Sequence, residues 1–207
     1  LLVRQVRVIG NTVFSADELA KVTAPYLNRE LTPENLEALR VALTLLYVNA
    51  GYVNSGAILP DQTVVEGVIT YQIIEGAVTA IEVEGNRWFR PSYLQKRFAL
   101  GAGPPVNVNA LQQQLQLLLA DPRIRRLNVE LKPGLKPGEG VLRATVEEKP
   151  PYRLSVDLNN HQSPSVGGEQ GILTLENLNL TGNGDILTLR YGGLRGYRFP
   201  TEALVFG

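Results

Sequence analysis

Residues 78–89, VTAIEVEGNRWF, decide the fold because they are a second copy of residues 3–14, VRQVRVIGNTVF. At a constant offset of 75 residues the apolar positions recur, and Gly10-Asn11 recurs as Gly85-Asn86. Self-similarity at a fixed period means that one supersecondary unit is used more than once. The chain is therefore predicted to contain a tandem repeat.

Composition predicts a globular protein and gives no sign of a cofactor. The 207 residues are 44% apolar and 19% charged, and they contain no cysteine, so disulfides and thiolate metal sites are excluded. The 20 basic and 20 acidic residues balance, which gives no reason to expect nucleic acid. No apolar run reaches the roughly 18 residues of a membrane helix. The charge is uneven, however, since residues 1–76 carry 5 basic and 8 acidic groups and residues 77–149 carry 11 and 7.

Catalytic chemistry is not expected. His161, the single histidine, has Asp157 and Ser163 nearby, but a loop supplies neither an oriented base nor oxyanion donors. Glycine and lysine do not fall at the spacing of a phosphate-binding loop, so no nucleotide is expected. The sequence predicts neither an enzyme nor a bound cofactor or metal.

In the first copy, capping residues predict two helices. Ser15 with Glu18 forms a capping box at the start of the first helix. Thr32 before Pro33 begins the second, which runs to about Ala50. The remaining elements are strands at residues 3–8, 53–59 and 68–74, which gives the order β-α-α-β-β.

The second copy repeats that order. Pro91 opens its first helix, and Asn107 caps its second helix at the offset of 75 from Thr32. Strands are predicted at residues 127–131 and 141–146, where the offset has fallen to 73. We expect two domains, residues 1–76 and 77–149.

Residues 150–207 follow a different pattern, in which apolar and polar residues alternate with a period of two. Tyr152, Leu154, Val156 and Leu158 alternate with polar neighbours, and two later segments do the same. The alternation predicts about four strands of a sheet with one apolar and one polar face. A soluble half-buried sheet gives a similar signal, but the context favours the first strands of an outer-membrane β-barrel. Because closure takes about 8 strands, we expect the chain to be part of a longer protein.

The repeat resembles the polypeptide-transport-associated (POTRA) domain. The resemblance rests on the VEGN-type first strand and on the endings Glu75-Gly76 and Glu147–Lys149. Two such domains before NLNLTGNGD at residues 177–185 resemble the TpsB outer-membrane transporters of two-partner secretion, the haemolysin and filamentous-haemagglutinin type. The signal peptide, plug helix and twelve further strands of that family are not among these residues.

The resemblance implies a fold and a function. The fold is α+β, with two tandem POTRA domains followed by the initial antiparallel strands of the barrel, which contacts outer-membrane lipid. The POTRA domains face the periplasm and bind an unfolded, TpsA-like secreted polypeptide, which crosses the barrel without nucleotide energy. An assembly factor for outer-membrane proteins and a soluble structural or adhesion protein remain as alternatives.

A candidate client-binding surface lies on the second helix of copy one. One apolar stripe suits packing on the sheet, and a second stripe consists of Val41, Leu45 and Val48. The corresponding positions of copy two are Gln116, Ala120 and Arg123. The second stripe either packs on the helix around residues 19–27 or faces a client.

The neighbouring strand offers main-chain groups to the same client. In the POTRA fold that the resemblance implies, it is a sheet edge whose N–H and C=O groups can pair with an incoming strand. The predicted partner-binding residues of this strand are Asn54, Ser55, Gly56, Ala57, Ile58 and Leu59.

A basic group follows the second helix of copy two. Arg123, Arg125 and Arg126 stand where cations complement a helix dipole, which favours a structural role. Electrostatic steering of the client is the alternative, and salt would weaken it.

Overall fold

The computed structural model describes residues 1–159, 170–194, 197–198 and 202–206; His161 and Ser163 lie outside them. The first repeat contains β1 (Leu2–Val3), β2 (Gln5–Ile9), α1 (Ala16–Thr23), β3 (Arg29–Glu30), α2 (Pro33–Asn49), β4 (Gly56–Ile58) and β5 (Val68–Ile74). The second contains β6 (Ala77–Glu84), α3 (Pro91–Ala99), α4 (Val108–Leu119), β7 (Ile124–Pro133) and β8 (Glu139–Glu148). The remaining strands are β9 (Tyr152–Asn159), β10 (Gln170–Asn177), β11 (Ile186–Leu194), β12 (Tyr197–Arg198) and β13 (Glu202–Phe206). The β-α-α-β-β order is confirmed in both copies.

The helices of repeat 1 begin at the predicted caps. The Ser15 hydroxyl accepts from the Glu18 amide at 3.3 Å, and the Glu18 carboxylate accepts from the Ser15 amide at 2.9 Å. Thr32 makes the same reciprocal pair with Asn35. These contacts satisfy amide groups that a helix start leaves without partners.

The sheet of repeat 1 has the order β2-β5-β4, with β5 parallel to β2 and antiparallel to β4. Helix α2 covers it with Leu39, Leu43 and Tyr47, which are fully buried with Ile69 and Tyr71 of β5. Each such side chain contributes about 1.5–3 kcal/mol on burial, so packing holds α2 in place even though its sequence includes β-branched residues.

Two features differ from the sequence expectation. The strand predicted at residues 53–59 is wrong at its start, because the Ser55 amide bonds the Tyr52 carbonyl in a turn after α2, and only Gly56–Ile58 form a strand. A two-stranded ribbon of β1 and β3 was not predicted. Val3, which belongs to β1 of this ribbon, is fully buried in the core.

In each repeat a carboxylate at the end of the last strand, or directly after it, closes the turn that follows the first strand. Glu75 accepts the amides of Thr12 and Val13 at 2.6 and 3.2 Å. Glu148 accepts the amides of Trp88 and Phe89 at 2.7 and 3.1 Å. The offset of 73 between the two carboxylates shows that the shortening of the second copy lies before its final strand.

Asn107 joins the ends of two helices. Its side-chain oxygen accepts the Asn109 amide in the first turn of α4, and its side-chain nitrogen donates to the carbonyl of Ala50, which caps α2, both at 2.9 Å. The amide of Val108 also donates to the Gly51 carbonyl at 2.9 Å. One amide side chain therefore satisfies the unpaired groups of both helix ends.

Strands β9–β13 form an antiparallel sheet in which β11 lies between β10 and both β12 and β13. In register, Leu154 faces Leu175, and Leu175 faces Leu189. Residues in the intervening positions are polar, and Arg153 lies 3.6 Å from Glu176. The side chains of Leu154, Val156 and Leu158 are exposed. The alternation of an apolar and a polar face is present as predicted.

The described chain forms two compact units. The first contains Leu1–Glu82, Arg97–Leu117 and Val129–Ala144, and the second contains Val83–Lys96, Leu118–Asn128 and the described part of Thr145–Gly207. Among the described residues, no helix combines the length and apolar character that a membrane crossing needs. Nor does this part of the chain group three or more acidic, histidine or cysteine side chains around a possible metal position.

Candidate functional site

The second apolar stripe of α2 lies on the surface. Val41 and Leu45 are 40% and 48% exposed, while Val48 is half-buried. Helix α1 packs against the core through Leu19 and Val22, and neither Val41 nor Leu45 belongs to that cluster. The interpretation that the stripe packs against α1 is therefore wrong for Val41 and Leu45.

The stripe lies next to the side of α2 that faces β4. At 100° per residue, Val41, Leu45 and Val48 all fall within about 100° of Thr44, turned away from the core positions. Thr44 contacts β4, where a side chain on Gly56 would lie 3.2 Å from its methyl carbon. Ile58 and Leu59 are also exposed. We refer to Val41, Leu45, Val48 and residues 56–59 as the α2–β4 surface.

Strand β4 is the edge of its sheet, but its central residue is occupied. The Ala57 amide donates to the Thr44 hydroxyl at 3.0 Å, and the Ala57 carbonyl accepts from Arg40 Nη1 at 3.2 Å. Both groups point away from β5, because the two polar groups of one strand residue face the same side. The expectation that the edge offers unpaired groups is therefore wrong at Ala57.

Arg40 is held in this position by Glu37. The carboxylate accepts from Nε and Nη2 of the guanidinium, the latter at 2.6 Å. The hydrogen bond raises the pKa of Arg40 and lowers the pKa of Glu37, so both groups stay charged at neutral pH. The Thr44 hydroxyl, which accepts from Ala57, in turn donates to the Arg40 carbonyl at 2.9 Å. Two side chains one helical turn apart thus cover the edge.

Asn54 and Ser55 have other partners. Asn54 donates its side-chain amide to the Gly138 carbonyl at 3.3 Å. Ser55 is buried, and its hydroxyl accepts the Gly76 amide at 2.8 Å. These two residues lie outside the α2–β4 surface. Their partners are 84 and 21 residues distant in sequence, so local pattern could not predict them.

The three arginines after α4 differ in their surroundings. Arg123 is only 14% exposed and bonds the Asp121 carboxylate at 2.6 Å. It also donates to the main-chain carbonyls of residues 178 and 184, and these bonds favour the structural role over client steering for Arg123. Its interaction with the α4 dipole stays a prediction. Arg125 is exposed and lies 3.1 Å from Glu147, and Arg126 is exposed. Steering by Arg125 and Arg126 stays a prediction.

Comparison with known proteins identifies the relatives of this chain. Residues 1–76 match the family model of the POTRA domain, ShlB-type. The outer membrane transporter CdiB of Dickeya dadantii is 28% identical over 177 residues, which are 84% of this chain and 31% of the relative. The structure of CdiB from Escherichia coli superposes with a TM-score of 0.67 at 27% identity, covering 92% of this chain and 35% of that one.

The chain is a homologue of the CdiB outer membrane transporters. The heme/hemopexin transporter protein HuxB of Haemophilus influenzae is also related, at 23% identity over 208 residues, which are 96% of this chain and 36% of HuxB. This CdiB homologue thus spans about a third of the length of its relatives. These findings confirm the POTRA and two-partner secretion resemblance and the α+β fold class. The CdiB relatives are outer membrane transporters, in agreement with the location expected from sequence.

The CdiB and HuxB relatives are transporters. None of these relationships identifies a residue that binds a client. The role of the α2–β4 surface therefore stays a prediction.

Proposed function

We propose that residues 1–149 are the periplasmic client-recognition region of an outer-membrane protein transporter. In this proposal the region binds an unfolded secreted polypeptide and passes it to the pore that β9–β13 begin. The relationship to CdiB and HuxB supports the transporter class. The exposed apolar face of β9 and β10 suits contact with lipid.

One observation carries the binding proposal: repeat 1 exposes an apolar stripe beside its edge strand, and repeat 2 lacks that stripe. An extended client pairs its main chain with β4 once Thr44 and Arg40 release Ala57. Its apolar side chains then contact Val41 and Leu45. Main-chain pairing accepts many sequences, while the apolar contacts add selectivity.

Leu45→Asp tests this proposal in cells that carry the full-length transporter. The client is defined as the polypeptide that is present in the culture medium of wild-type cells and absent from it when the transporter gene is deleted. Because Leu45 is 48% exposed, the variant is expected to fold. We expect secretion to fall at least about tenfold, because client binding would bury the aspartate charge where Leu45 offers apolar contact area.

Leu117→Asp is the matched control, because Leu117 is 69% exposed on α4. It is expected to leave secretion unchanged at equal transporter level in the outer membrane. Normal secretion by Leu45→Asp would refute the binding site, and unfolding of the purified variant would place Leu45 in the core. If deletion instead lowers the level of other outer-membrane proteins, the chain is an assembly factor.

A further inference from the structure

The turn between β10 and β11, residues 178–185, lies against repeat 2 through Arg123. The Arg123 guanidinium donates from Nη1 to the carbonyls of Leu178 and Gly184, the second at 2.8 Å. From Nε and Nη2 it donates to the Asp121 carboxylate at 2.7 and 2.6 Å. Arg123 precedes β7 of repeat 2, and its two carbonyl partners are 55 and 61 residues further along the chain.

The surroundings of Arg123 favour a guanidinium over any other cation. Its carbon Cζ lies 5.0 Å from the centre of the Phe89 ring, and Phe89 stacks on Tyr93 at 5.2 Å. Pairing with Asp121 raises the pKa of Arg123, so its charge is permanent. Arginine alone combines a planar face for the ring with several donors in a fixed fork, whereas lysine presents a point charge.

A second contact joins the same turn to the main chain of repeat 2. The Arg90 amide donates to the Gly182 carbonyl at 2.9 Å. A side chain on Gly182 would lie 2.8 Å from Arg90 Cγ, and one on Gly184 would lie 2.8 Å from the Tyr93 hydroxyl. Both glycines have φ near +85°, at 85° and 84°, a conformation that other residues rarely adopt. The glycines of the turn are thus required by its contact with repeat 2 as well as by its own bend.

Hydrogen bonds from its own side chains also brace the turn internally. The Asp185 carboxylate accepts from the amide and the hydroxyl of Thr181 at 2.9 and 2.7 Å. The Asn179 side chain accepts the Gly184 amide at 2.9 Å. The Asn177 side chain accepts the Asn179 amide at 3.0 Å, and the Asn183 side chain donates to the Thr181 hydroxyl at 3.1 Å.

We infer that Arg123, held by Asp121, is a positioning residue that couples the β10–β11 turn to repeat 2. Repeat 2 then transmits its movements directly to the first strands. The contact is independent of where a client binds, so it goes beyond the proposed function. A transporter without the Arg123 contact retains folded repeats and strands, but the β10–β11 turn is no longer held in a fixed position against repeat 2.

The test uses the full-length transporter in lipid nanodiscs and amide hydrogen exchange. Arg123→Met is expected to accelerate exchange of the Arg90 amide at least about tenfold, because that amide donates to the turn across the contact. Exchange of amides inside α3 is expected to stay unchanged. Asp121→Asn keeps the Arg123 cation but removes the carboxylate that holds it. This variant should accelerate exchange of the Arg90 amide to a smaller extent.

A distance measurement completes the test. Spin labels at Lys96 of α3 and at Ser155 of β9 are expected to give a narrow distance distribution that broadens in Arg123→Met. Arg126→Met, at an exposed arginine near the start of β7, is the control and should change neither readout. Unchanged Arg90 exchange and an unchanged distribution in folded Arg123→Met would overturn the inference. If that variant does not fold, the same two readouts in Arg123→Lys decide it: Lys cannot supply all four hydrogen bonds, and wild-type values would overturn the coupling.

Discussion

Glu148 occupies in the second repeat the place that Glu75 occupies in the first. Each carboxylate accepts main-chain amides of the turn that follows the first strand of its own repeat. Glu75 additionally accepts the hydroxyl of the buried Tyr47 at 2.9 Å. Although burial acts to raise the pKa of Glu75, hydrogen bonds from Thr12, Tyr47 and Val13 hold it below its usual value. These contacts favour the ionised form, and they stabilise the turn most strongly while the carboxylate is charged.

Glu75→Gln is expected to lower the free energy of unfolding by about 1–2 kcal/mol, since charge-assisted hydrogen bonds become neutral ones. Urea denaturation of the protein at pH 7 measures the change. Asp61→Asn, at an exposed carboxylate of the same repeat, is the control and should change stability by no more than about 0.5 kcal/mol.

The same carboxylate predicts a pH dependence. Because the pKa of Glu75 is lower in the folded than in the unfolded protein, its contribution is complete above the unfolded value of about 4.3. The contribution disappears as the pH falls through the folded value. The difference in free energy of unfolding between the wild type and Glu75→Gln should therefore become smaller as the pH falls from 5 to 3. Urea titrations at each pH measure it. A constant difference across that range contradicts the assignment.

Gly85→Ala is expected to destabilise repeat 2 by at least about 2 kcal/mol, the sum of a left-handed backbone and a steric clash. Gly85 has φ 78°, and its Cβ would lie 2.6 Å from the Val146 carbonyl oxygen. Thermal unfolding measures the loss. The matched control is Gly103→Ala, because a Cβ there has no heavy atom within 4 Å. Equal effects of the two substitutions would show that the close approach at Gly85 carries no cost.

Substitutions of Asn107 separate its two hydrogen bonds. Asn107→Ser retains a helix cap for α4 but loses the donor to Ala50. Asn107→Asp retains the cap and places a carboxylate against the Ala50 carbonyl. We expect Asp to destabilise more than Ser, by about 1–2 kcal/mol, in urea denaturation. If Asn107 stabilises the protein only as a helix cap, and its bond to Ala50 contributes nothing, Ser should destabilise more than Asp. The reason is that a negatively charged cap favours a helix start.

Thr44→Val removes the hydroxyl that accepts from Ala57 and keeps the side-chain volume. The Ala57 amide should then exchange with solvent about tenfold faster, which heteronuclear NMR of the protein measures. The freed edge also favours pairing between molecules, so light scattering should detect self-association at lower protein concentration. Thr63→Val, at an exposed threonine of the same repeat, should have neither effect.

Structural features that depend on nearby residues were predictable from the sequence. Ser15, Thr32 and Asn107 cap helices as expected, since a cap depends on residues three positions away or fewer. The repeat also made the order of elements visible twice. The candidate site was only partly predictable.

Contacts between distant segments escaped the sequence analysis. Exposure of Leu45 follows from helical periodicity, but the closure of Ala57 depends on how closely α2 crosses β4. The partners of Arg123 are separated from it by more than fifty residues, and its basic neighbours suggested an electrostatic role instead. In the sequence, a run of arginines looks the same whether one of the side chains is buried or all of them are exposed to solvent.

The carboxylate at the end of each repeat has an evolutionary consequence. A module that closes its own turn needs no adjacent copy for that contact, so gene duplication can add copies in which the turn is already stabilised. Only border residues such as Asn107 must then adapt, which concentrates selection for inter-module geometry in a few positions. Chains of different length are accessible from one ancestral module by this route.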